Sequence, residues 1–195
     1  MLSRLLSGGI ELKEFFMMKR GLFFLLVFAV VSTGGVFAQT WYDSYSPAVA
    51  EAKVLVNAGI GLGFSSYGFG LPPITVSADF KLPIELPITV GGTVGLGTWG
   101  GFDFMNIAFG GRGMYHFNFA AISDSDFLKK LDVYSGLTLG HVIQITSIEG
   151  LIGKSFFLFG FCVAARYFFN EKMGVYLESG YSGLQALSLG LTMKF

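Results

Sequence analysis

Ala186-Leu-Ser-Leu-Gly-Leu-Thr-Met-Lys-Phe195 alternates without a slip: Leu187, Leu189, Leu191, Met193 and Phe195 share one face of an extended chain, with Ser188, Gly190, Thr192 and Lys194 on the other. A period of two is the mark of a β-strand between unlike surroundings. In a soluble barrel of lipocalin type the apolar face points inward and charged residues coat the exterior. Too few charges exist here for that coat. The chain is 13% charged, 52% hydrophobic and 16% aromatic, whereas an average soluble domain carries about 25% charged residues. The apolar face is therefore expected to meet lipid, and the small, polar face to fill an interior.

Working back along the chain, the pattern recurs in segments of about ten residues separated by turn residues, as in membrane-spanning strands. The first runs from Lys53 to Phe64, with Val54, Val56, Ala58, Ile60, Leu62 and Phe64 outward and Asn57, Gly59, Gly61 and Gly63 inward. The second, Ile74 to Leu82, points Thr75, Ser77, Asp79 and Lys81 inward. Ile88 to Thr98, Met105 to Phe117 and Leu131 to His141 follow; the middle one carries Arg112 and His116 on its inner face. In the sixth, Phe157, Phe159, Phe161, Val163, Ala165 and Tyr167 face out, opposite Gly160, Cys162, Ala164 and Arg166. The seventh sets Val175, Leu177 and Tyr181 against Tyr176, Glu178 and Gly180. Within hydrocarbon every backbone donor and acceptor must be paired, so such a sheet has to close.

The expected fold is all-β: an eight-stranded antiparallel up-and-down transmembrane β-barrel following an N-terminal signal peptide. Inward glycines suit a narrow eight-stranded lumen, which has room only for side chains. An even strand count leaves both ends of the barrel on the periplasmic side. Connections 81–87, 119–130 and 170–172 then lie inside, and 65–71, 99–104, 142–155 and 182–185 outside. Trp99, Phe102, Phe104, Tyr115, Tyr167 and Tyr181 are expected to form interfacial girdles.

Ahead of the strands, Lys19-Arg20, the apolar run Gly21 to Val31 and the small-residue ending Val36-Phe37-Ala38 read as a secretory signal peptide over 17–38. Residues 1–16 are expected to be a mis-assigned start, and 39–52 a periplasmic linker to a barrel at 53–195.

The C-terminal stretch Leu187 to Phe195 resembles the terminal strand of bacterial outer-membrane barrels, and Phe195 matches the aromatic residue that the barrel-assembly machinery reads as its signal. Ala165-Arg-Tyr-Phe-Phe-Asn-Glu-Lys-Met-Gly-Val-Tyr-Leu-Glu-Ser-Gly-Tyr181 resembles the strand-turn-strand of small, OmpX/OmpW-like outer-membrane barrels, of the kind found in spirochaetes and Bacteroidetes. The resemblance implies an outer-membrane location, with membrane lipid and the assembly machinery as partners. It is nearly silent on activity, because such barrels include pores, adhesins, anchors and enzymes.

Among the residues that could carry chemistry, Arg166 and Glu178 lie across the 170–172 turn in the inward phase and are expected to pair in the lumen. Asp79, Lys81, Arg112 and Lys194 would extend a polar cluster, read either as a plug or as the selectivity ring of a narrow pore. A hydrolytic site needs a histidine beside a hydroxyl and a carboxylate, and His116 and His141 are the two candidates. Zero formal charge offers no footprint for nucleic acid. The lone Cys162 and the absence of Cys/His spacing give no expectation of a disulfide, metal or cofactor. The expected function is a non-enzymatic structural or surface-contact role in the envelope. The alternative is a narrow channel for small, hydrophobic molecules; an extracellular or small hydrophobic ligand is the partner either reading would add, and lipid A modification is a third reading.

Overall fold

The computed structural model describes residues 44–62, 72–99, 103–148, 153–181 and 184–195. The expected signal peptide and 1–16 lie outside them, as do Phe64 and Phe102. Eight strands form one closed antiparallel barrel in sequence order: β1 (Val54–Leu62), β2 (Ile74–Lys81), β3 (Ile88–Trp99), β4 (Phe104–Phe117), β5 (Leu131–Thr146), β6 (Lys154–Phe168), β7 (Met173–Tyr181) and β8 (Leu187–Lys194). Closure is made by β1 against β8, from Leu55 opposite Lys194 to Leu62 opposite Leu187.

The phase is the one the alternation predicts. Phe157, Phe159, Leu189 and Leu191 are 62, 59, 57 and 52% exposed, while Ser188, Thr192, Arg166 and Cys162 between them are buried. Glycine has its steric reason on the inner face: a Cβ at Gly91 would overlap the carbonyl of Ala78, and one at Gly140 the carbonyl of Phe109. Gly113, on the outer face, has nothing within 4 Å of where its Cβ would stand.

The 169–172 turn is tight because Asn170 Oδ1 accepts from the amides of Lys172 and Met173, at 2.9 and 2.7 Å. Between β4 and β5 the chain makes a 3₁₀ turn (Phe119–Ala121) and a one-turn helix α1 (Asp126–Lys129), which use up the length of that connection.

Two expected boundaries are corrected. The loop assigned to 142–155 is shorter, because Val142 to Thr146 continue β5 and Lys154 and Ser155 already belong to β6. There Ile143 and Ile145 stay outward, so the alternation persists. Trp99 and Phe104, assigned to a loop, are cross-strand partners in β3 and β4. Over its described part, from Ser44, the expected linker forms a packed strap: Ser46 is buried, and Ala48, Val49 and Ala52 are buried together with Leu55 and Phe168.

Candidate functional site

Inward phase puts polar side chains of six strands at one level of the lumen, toward the strap. Arg166 of β6 lies at the centre. Its Nε donates to Asn57 Oδ1 at 3.0 Å, one terminal nitrogen to Asp132 Oδ2 at 3.0 Å and the other to Asp79 Oδ2 at 2.7 Å. Its guanidinium stacks 3.9 Å from the centre of the Tyr134 ring. Arg112 of β4 donates to Glu178 Oε2 at 3.0 Å, and Tyr134 donates to the same oxygen at 3.2 Å. Arg112 Nε lies 3.0 Å from Asp79 Oδ1. The two pair as charges without an aligned hydrogen bond, since neither atom has a hydrogen-bond partner.

Two guanidiniums thus face three carboxylates in a layer from which water is nearly excluded; Arg166, Asp79 and Asp132 are 0% exposed. Burial of a charge is tolerated only with such pairing. The layer crosses the lumen from β2 and β4 to β5, β6 and β7 as a partition of paired charges.

Each residue singled out in sequence has a definite place. Asp79, Arg112, Arg166 and Glu178 meet in this layer. Arg166 does not pair with Glu178 as expected, because the register sets it directly opposite Asp132 of β5 and opposite Tyr176 of β7, two residues short of Glu178, which pairs with Arg112 instead. Lys81 and Lys194 do not join it. Both turn to the strap, Lys81 Nζ donating to the carbonyl of Ala50 and Lys194 Nζ to that of Ala48 at 2.5 Å. Phe195 is 65% exposed, and its backbone closes the seam with Val54. Asn57, Asp132 and Tyr134 were missed, although their inward phase was readable.

His116 Nδ1 lies 2.8 Å from Asp132 Oδ1, and Nε2 lies 3.0 Å from Thr89 Oγ1. The carboxylate holds the imidazole proton on Nδ1, which leaves Nε2 to accept from the threonine hydroxyl when the ring is neutral. Hydroxyl, imidazole and carboxylate stand in the order a hydrolase uses. Here, however, Thr89, His116 and Asp132 are all buried, Asp132 is shared with Arg166, and the strap's Tyr45 ring lies 5.4 Å from the imidazole. His141 faces outward between Phe109 and Phe157.

The strap closes the mouth below. Tyr45 donates to the carbonyl of Ile88 at 2.6 Å, and Ser46 to that of Leu131 at 2.5 Å. Burial, and secondarily the negative charge of Asp132, push the Tyr45 phenol up to about 12. At the other end Leu184, from the β7–β8 connection, packs inside with Ala108, Val142 and Leu158. Among the described residues no group of His, Cys, Asp and Glu is arranged to hold a metal.

A closed barrel with an apolar jacket and a polar, salt-bridged interior is the architecture of small membrane-spanning β-barrels. No protein-family model matches the chain, and no curated protein does. Its fold is similar to that of Neisserial surface protein A, with a TM-score of 0.52 and 14% identity over 73% of this chain and 96% of that one. It is also similar to the outer membrane protein Ail of Yersinia pestis, at 0.46 and 11% over 74% and 100%. A designed transmembrane β-barrel matches at 0.44 and 14% over 73% and 94%. The first of these likenesses is one of fold.

Proposed function

We propose that this protein is an outer-membrane barrel of the envelope, OmpX-like in build, with a structural or surface-contact role and no catalytic one. The carrying observation is the pairing of an apolar exterior with a partitioned lumen. Outward Phe, Leu, Ile and Val from every strand supply the jacket, which water would penalise and acyl chains accept. The neisserial fold neighbour bears the name of a surface protein, in line with this location. The spirochaete or Bacteroidetes affiliation rests on the Ala165 to Tyr181 stretch alone.

The burial of Thr89 and His116 supports the non-enzymatic reading. The channel reading finds no support in a lumen crossed by Arg112, Arg166, Asp79, Asp132 and Glu178. Contacts to other molecules would fall to the exposed surface outside the bilayer, with membrane lipid and the assembly machinery, the latter through Phe195, as the remaining partners. Fractionation should recover the protein with the outer membrane, migrating faster in cold detergent gels than after boiling. Refolded protein in a planar bilayer should stay silent. Discrete openings that vanish in Arg166→Ala would establish the channel instead, and a changed lipid A mass on expression would establish an enzyme.

A further inference from the structure

We propose that the strap, residues 44–53, is a closure lock: it docks only after β1 and β8 have zipped together, and then holds the closed barrel against opening.

The anchors of the strap are scattered along the chain. Lys81 ends β2, Ile88 begins β3, Leu131 begins β5 and Lys194 lies in the last strand, 146 residues from the Ala48 carbonyl it binds. Asn118, between β4 and β5, adds a bond from its side-chain amide to Ser44 Oγ at 3.0 Å. No local segment of the sheet presents this set. The anchors converge only around a closed rim, so their formation must wait for the long-range pairing that closes it.

Closure itself delivers the strap to its seat. The amides of Lys53 and Val54, where the strap joins β1, both donate to the carbonyl of Phe195, at 2.6 and 3.1 Å. Zipping the seam therefore fixes the strap's root at the rim. The strap then folds as a turn, with the amides of Val49 and Ala52 bonded to the carbonyls of Ser46 and Val49. Its carbonyls at Ala48 and Ala50 face the two lysines, and Val49 is buried with Phe168.

A contact made after the rate-limiting step slows unfolding and leaves folding unchanged. This gives the lock a kinetic signature that a strap formed early would lack. The pairing of Lys81 and Lys194 with the strap needs no pore and no ligand, so the lock stands apart from whether the barrel conducts.

The test compares the full chain with Lys81→Met/Lys194→Met, and with Lys154→Met at the far end as control, all refolded from urea into phosphatidylcholine vesicles. The gel-resolved compact form reports folding as it appears, and unfolding as it disappears on warming in detergent. The lock predicts unfolding about tenfold faster in the double variant, with refolding within about twofold of the parent and the control unchanged. Unchanged unfolding would overturn it. So would refolding slowed in step with unfolding, or a double variant unable to fold, since either places strap contacts before closure. Ser46→Ala, which keeps both lysines, should move the unfolding rate in the same direction by a smaller factor.

Discussion

Arg166 illustrates how the interior is built: one guanidinium bonds three side chains from three other strands and stacks on a fourth residue, Tyr134. Arg166→Met would leave Asp79 and Asp132 buried with their charges poorly matched, at a cost of about 3–5 kcal/mol. Urea unfolding in vesicles measures this, and a loss below about 1 kcal/mol would contradict the role assigned to the layer. Glycines provide a paired test of phase. Gly91→Ala forces a Cβ onto the Ala78 carbonyl and should cost about 1–3 kcal/mol. Gly113→Ala meets open space and should be neutral or stabilise by about 0.4–1 kcal/mol through the unfolded chain. The inward phase of Asp79, Arg112, Arg166 and Glu178 was legible, because alternation fixes the face. Which of them touch was not, because the register between neighbouring strands sets the partners, Arg166 opposite Asp132 and Tyr176, and the residue pattern does not encode it.

Elements were legible where both faces keep their contrast. In β8 and β6 the outward positions are almost all large and apolar, and the segments could be placed to within a residue or two. The end of β5 was missed although Ile143 and Ile145 alternate with Gln144 and Thr146, since His141 and Val142 interrupt the apolar-out rule just before them. The strap escaped for a different reason: Ser44 to Ala52 has no period, and its structure comes from carbonyl and hydroxyl contacts to the rim. Tyr45 offers a direct reading of that docking. A raised phenol pKa means the docked strap favours the neutral ring, a contribution complete below the ordinary value of about 10 and lost as pH climbs through about 12. The ultraviolet titration difference between the parent and Tyr45→Phe should show a midpoint near 12. A midpoint near 10 would mean that the ring is not held at the rim.

Seen whole, the molecule inverts the arrangement of a water-soluble domain: a layer of paired charges is buried inside, and hydrocarbon faces out. Both halves follow from alternation within strands that are forced to close because lipid supplies no partner for an open backbone. The most direct measurement is a nitroxide scan of single-cysteine variants, in a Cys162→Ala background, along 187–193 of β8 in phospholipid vesicles. Labels at Leu187, Leu189, Leu191 and Met193 should collide freely with oxygen and weakly with a water-soluble nickel complex, while those at Ser188 and Thr192 should be shielded from both. High nickel accessibility along the whole strand, or oxygen contact in the opposite phase, would contradict the membrane-facing jacket.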